Sequence, residues 1–319
     1  MTTESSKESS TTPASELPRP EGLATRIFLG SDGLRVGWRL ALYAAFWLMM
    51  EYAIGTLVLL AGGFPLNPRS PQSVVLEELL SFLSVYAAAL VMARLERRPA
   101  GVYGLPLGQA FGGLFWLGIV LGLGEVSLLL GLIAAYGGYS FGTPVLHGAS
   151  LLDGTALWAL AFALVGLSEE FLFRGYSQYT LARGIGFWPA ALCLSLVFGA
   201  AHLRNPGEGI VGAANVAVTG LVFAFALRRT GNLWLGVGWH ASFDFGETFL
   251  FSVPNSGYVF DQHLSSAALH GKTWLTGGTV GPEGSVFGFV TLGLSAVLIH
   301  YLFPAKKVGS EADSNALPD

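Results

Sequence analysis

The sequence predicts an all-α protein, a polytopic membrane helix bundle of about eight transmembrane helices, on three observations. Of its 319 residues 52% are hydrophobic and only 12% charged, against about a quarter charged in an ordinary soluble domain. The mean hydropathy is +0.56. The apolar residues gather into runs near the roughly 20 residues that cross a bilayer, and Lys and Arg gather in alternate connections between those runs, as cytoplasmic loops do. The 43 glycines suit helices that approach closely in lipid.

Taken in order, residues 1–34 are rich in Ser, Thr, Pro and charge. They read as a disordered cytoplasmic N-terminal tail without the apolar core of a secretory signal. Residues 35–150 hold spans near 37–62, 72–94 and 110–136, apolar helices with no candidate constellation. A helical core over 151–252 follows, with spans near 154–182, 187–203, 209–228 and 233–252; the first of these is too long and carries charges, the second is short. Residues 253–283, broken by Pro254, Asn255, Gly257 and Pro282, read as a surface lid or a connector. A last transmembrane helix occupies 284–304, and 305–319 is a polar C-terminal tail.

With the N-terminus in the cytoplasm, Arg97, Arg98, Arg228, Arg229 and eight further basic residues fall inside, and Arg69, Arg204 and Lys272 fall outside. The expectation is an integral protein of the cell membrane with both termini cytoplasmic. A net charge of -4 and a pI near 5.9, with no basic stripe, exclude nucleic acid as a partner. Cys193 is the only cysteine, so neither an intrachain disulfide nor a four-cysteine zinc site can form. Its apolar run predicts a buried thiol acting as a small hydrophobe.

Within 154–182 the chain reads Ser168-Glu169-Glu170-Phe171-Leu172-Phe173-Arg174-Gly175. A charge at the centre of a membrane helix costs about 2.5–3.5 kcal/mol, so two adjacent carboxylates need a reason. Arg174 follows Glu170 by four residues and can pair with it on one helix face, which leaves Glu169 without a local partner. Phe198-Gly199-Ala200-Ala201-His202 and His240-Ala241-Ser242-Phe243-Asp244 lie on later helices. The four-residue spacing puts His240 and Asp244 on one face; His300 has no such neighbour.

A Glu and a His around one water can make it a nucleophile, the Glu taking its proton and later giving it to the leaving amine. A second His with a hydrogen-bonding neighbour can stabilise an oxyanion. The same Glu, His, His and Asp are also acceptable zinc ligands, although neither His-Glu-x-x-His nor a paired Glu-x-x-His occurs. Ionisable groups in membrane helices also build the proton relays of transporters, which keeps a proton-coupled membrane transporter as an alternative.

Glu169, Glu170, Phe173, Arg174 and Gly175, then Phe198-x-x-x-His202, then His240-x-x-x-Asp244, together resemble the CPBP family of CAAX prenyl proteases and bacteriocin-processing (Abi) enzymes. The resemblance covers about residues 154–250. It implies an intramembrane endopeptidase of the glutamic type with a cavity opening to the cytoplasm, no cofactor, and a peptide or protein substrate, membrane-anchored or CAAX-like. By similarity Glu169 and His202 activate the water, His240 and Asp244 support the oxyanion, and Glu170 and Arg174 are structural or electrostatic members of the site. The family often has Asn where this chain has Asp244. An ionised Asp only accepts hydrogen bonds, so Asp244 either stays protonated or orients His240, and as a better ligand than Asn it keeps zinc open. A non-catalytic membrane scaffold of the same fold is the remaining alternative.

Overall fold

The computed structural model of the chain describes residues 27–30, 33–63 and 67–304; the expected tails at 1–26 and 305–319 lie outside them. The last residues of the expected N-terminal tail pair as a two-stranded antiparallel turn, Leu29–Gly30 with Gly33–Leu34. Every expected span is helical. The helices are α1 (Val36–Leu60), α2 (Pro71–Leu95), α3 (Gly113–Ala135), α4 (Gly148–Ile185), α5 (Phe187–His202), α6 (Ile210–Thr230), α7 (Trp234–Phe245) and α8 (Val286–Leu302).

Their ends follow capping chemistry. Ser70 accepts from the Ser73 N–H ahead of α2, with Pro71 at the first helical position, where its missing N–H costs nothing. Ser285 caps α8 in the same way. Gly231, in the left-handed region at φ 67°, stops α6.

Five of the eight, α1, α2, α3, α4 and α6, are long and apolar enough to cross a membrane. This refines the expectation of about eight full spans, because α5, α7 and α8 are shorter, with 16, 12 and 17 residues. For α7 the reason is position. It packs against α3, α4 and α6, and Trp234 through Trp239 are all buried, so protein rather than lipid surrounds it. By contrast Leu57, Leu59 and Leu60 on α1 are 66%, 75% and 80% exposed, the surface that lipid covers in a membrane protein.

Glycine sets how closely the helices approach. A Cβ on Gly238 of α7 would collide with the Phe115 carbonyl of α3, and one on Gly122 of α3 would strike the Trp239 carbonyl and the Ser242 hydroxyl of α7. Gly166 of α4 lies against the Val237 carbonyl of α7. These contacts fix α7 between α3 and α4, one turn from Glu169 and Glu170, by the small-residue packing that replaces hydrophobic drive in lipid.

Two departures bear on the site. First, α4 runs through a π-type segment, Phe171–Ser177, in which Gly175 is non-helical (φ −79°, ψ −111°). Such segments favour functional sites, and this one begins at the residue after Glu170. Second, the 253–283 connection is tied down at several points. Ala268–Leu269 pairs with Tyr139–Ser140, and Asp261 N–H donates to the Arg69 carbonyl at 3.0 Å. The thiol of Cys193, expected to be buried, is exposed. It follows Leu192, itself 48% exposed, on the outer side of α5.

Candidate active site

Helix α4 delivers Glu169 and Glu170, α5 delivers His202, and α7 delivers His240 and Asp244. The Glu170 and Arg174 pair expected from spacing forms at 3.0 Å, with side chains 1% and 2% exposed. Gly220 of α6 makes room for it, since a Cβ there would lie 2.6 Å from Arg174 Nη2. The guanidinium also sits over Phe198, 4.5 Å from the ring centroid, with Phe173 and Phe223 at 5.7 and 5.9 Å, a cation–π cage.

Glu170 makes a second contact that sequence alone does not reveal. Its Oε1 lies 3.2 Å from His240 Nδ1, while His240 Nε2 stands 3.7 Å from Glu169 Oε2 and 3.6 Å from Asp244 Oδ2. His240 is therefore the hub of the cluster, and it is the partner Glu169 lacks within its own helix. Glu169 is the open member, its side chain 32% exposed.

His202 stands apart on the cavity wall. Its Nδ1 lies 2.9 Å from the Phe198 carbonyl; a carbonyl only accepts, so Nδ1 carries a hydrogen, and in the neutral ring Nε2 is the acceptor. Its ring meets Phe198 edge-on, with centroids 4.7 Å apart. Phe198 thus lies between the Arg174 cation and the His202 ring, which gives the phenylalanine of that motif a packing reason. No hydrogen bond joins Glu169 to His202 among the described residues.

Glu169, His202, His240 and Asp244 all line one cavity of about 830 Å³. So do Glu77 and Glu78 of α2 and Glu125 of α3, which corrects the expectation that residues 35–150 hold no part of a constellation. Glu125 Oε2 accepts from Trp239 Nε1 at 2.7 Å. A carboxylate isolated in a 23-residue apolar helix was the available signal, since ionisable groups in membrane spans are usually functional. The 253–283 connection contributes Asn255 through Phe260 and Glu283 to the same cavity, so it is a cap rather than a free connector.

Pro68, Arg69, Asn205, Pro206 and Tyr258 line the cavity from connections on one face of the bundle, and we take that end as its mouth. The opposite face is joined by Leu233 N–H to the Gly104 carbonyl at 2.8 Å and by Asn232 Nδ2 to Gln109 Oε1 at 2.6 Å, and none of those residues lines the cavity. Loop charge puts the mouth outside the cytoplasm, whereas the family resemblance implies a cytoplasmic opening, and the two expectations cannot both hold. In a Cys193→Ser background, a cysteine in place of Arg69 should react with a membrane-impermeant maleimide on intact cells, and one in place of Arg94 should not. The reverse labelling would establish the cytoplasmic opening.

A helical membrane bundle with carboxylates and histidines from three helices converging on one cavity defines the class as a polytopic integral membrane protein with an embedded polar site. Residues 151–246, the segment that carries all three motifs, match the family model described as type II CAAX prenyl endopeptidase, Rce1-like. Over those residues the chain is similar to Rce1-like proteins of the CPBP family of membrane proteases. No curated protein matches the chain, and no solved structure does.

Proposed function

We propose that the chain is an intramembrane endopeptidase that hydrolyses a peptide bond with a water activated by Glu169 and His202. The observation that carries this reading is the convergence of Glu169, His202, His240 and Asp244 on one cavity within the bundle, with Glu170 held against His240 behind it. Glu169, the most exposed member, takes a proton from the water, and the lone pair at His202 Nε2 holds the second water hydrogen. The water oxygen attacks the carbonyl carbon of the substrate. The oxyanion receives a hydrogen bond from His240 Nε2, whose ring Glu170 fixes through Nδ1, and Glu169 returns its proton to the leaving amine as the C–N bond breaks.

Arg174 acts at one remove, neutralising Glu170 so that a second buried carboxylate can sit beside the histidine. The four residues considered as zinc ligands, Glu169, His202, His240 and Asp244, do not gather as one donor set. Among the described residues, the metal-capable groups within 4.8 Å of one another are Asp244, Glu247 and Glu283. We therefore assign the water activation to the two side chains themselves. A proton relay across the membrane needs ionisable groups spaced along a path, and here they cluster around one cavity. Substrates are membrane-associated peptides, C-terminal CAAX-like sequences among them.

Asp244 positions His240 in this scheme through a polar contact, its Oδ2 3.6 Å from Nε2, too long for a hydrogen bond and so leaving the Nε2 hydrogen for the oxyanion. Asn presents an oxygen of the same reach, so Asp244→Asn should keep kcat/KM for a membrane-anchored peptide within about tenfold of wild type. Asp244→Ala should lose about 10²-fold, the scale of a lost oxyanion-stabilising contact. Equal and near-complete loss in both variants would mean that the carboxylate charge itself is required, and the assigned role would fall.

A further inference from the structure

Helix α7 continues past Phe245 as a π-type turn, Gly246–Leu250, and there carries a second acidic group just beyond the matched segment. Glu247 is 0% exposed, and neither of its carboxylate oxygens has a hydrogen-bond partner. One of its oxygens, one of Asp244 and one of Glu283 lie within 4.8 Å of one another. Glu283 arrives from the end of the cap, where its Oε2 accepts from the Ser256 N–H and hydroxyl at 3.0 and 2.8 Å. Beside it, Asn215 of α6 donates to the Glu283 and Ser285 carbonyls, both at 2.8 Å, while its buried Oδ1 is unpartnered.

Among the described residues no Lys or Arg forms an ion pair with any of the three carboxylates; the charged neighbour is His240, beside Asp244. Three carboxylates at this separation repel one another, and a wholly buried one with neither hydrogen bond nor counter-ion is the least tolerable arrangement in a protein interior. A bound cation removes both difficulties. The donors are all carboxylate oxygens without nitrogen or sulfur, which select a hard ion, and calcium accepts several protein carboxylates where magnesium prefers to keep its waters. Asp244 and Glu283 line the cavity, so an ion has a path in.

We propose that Asp244, Glu247 and Glu283 form a binding site for a hard divalent cation of the calcium class. The ion ties the cap to α7, because Glu283 belongs to the cap and the other two belong to α7. By drawing on Asp244 it also couples closure of the cavity mouth to the position of His240. This site stands on the carboxylate geometry alone and does not need the chain to be a hydrolase.

The test uses the full chain in nanodiscs, stripped with EGTA, with equilibrium binding of radioactive calcium and the thermal midpoint as readouts and no peptide present. The expected result is one saturable calcium per chain that raises the midpoint. Binding should weaken at least tenfold in Glu247→Gln and in Glu283→Gln, and should be unchanged in Glu77→Gln, a carboxylate elsewhere on the cavity. No saturable binding, affinity retained in both Glu247→Gln and Glu283→Gln, or a midpoint raised by zinc and not by calcium would each overturn the proposal. If Glu247→Gln raises the midpoint of the stripped protein and calcium moves neither chain, protons rather than a cation hold the cluster.

Discussion

Glu169→Ala should leave the fold intact and lower kcat/KM for peptide cleavage by about 10²–10⁴-fold, the contribution of a positioned general base. The side chain is 32% exposed and its nearest charged partner is His240 Nε2 at 3.7 Å, beyond hydrogen-bond distance, so its removal breaks no bond that holds α4 to α7. The loss should therefore appear in kcat, with the thermal midpoint nearly unchanged. His202→Ala should cost a similar factor and somewhat more stability, because its ring also bonds the Phe198 carbonyl and packs on Phe198. A Glu169→Ala chain that cleaves at the wild-type rate would remove the assigned base, whereas loss of both activity and midpoint would mark Glu169 as structural.

The largest effect on stability belongs to Glu170. Glu170→Ala leaves the Arg174 guanidinium buried without its carboxylate, and breaking a buried pair by removing one partner costs about 3–5 kcal/mol. Arg174→Ala should cost as much from the other side, with His240 losing a neutralised neighbour. Replacing both, as Glu170→Gln with Arg174→Met, should recover a large part of the loss, since two neutral side chains leave no stranded charge. Unfolding midpoints in detergent decide this, and a double variant no more stable than either single one would show that the pair does more than neutralise itself.

These expectations rest on parts of the molecule that were unequally legible in the sequence. The helices were readable because a bilayer imposes length and apolarity on every span, and each expected span is occupied by a helix. Contacts four residues apart were also readable: Glu170 with Arg174 and His240 with Asp244 follow from helical periodicity. The contact that joins the two pairs, Glu170 to His240 across 70 residues, was not. It depends on how closely α4 and α7 approach at Gly166, and one glycine among 43 does not announce its role. Glu283 was missed for the same reason, since it becomes part of the cavity wall only once the cap is packed, whereas Glu125 did carry a signal as the lone carboxylate of an apolar helix. The exposure of Cys193 was missed because an apolar run in a membrane protein does not distinguish a lipid-facing surface from a protein core.

The central claim is that the Glu/His cluster on the cavity hydrolyses peptide bonds, and the most direct measurement is mass spectrometry of a membrane-anchored peptide library incubated with the purified protein in nanodiscs. A zinc-selective chelator is present throughout, and the Glu169→Ala chain is run alongside. The account predicts defined new C-termini with the wild type and none with the variant. The same products from both proteins, or none from the wild type unless the chelator is left out, would contradict it.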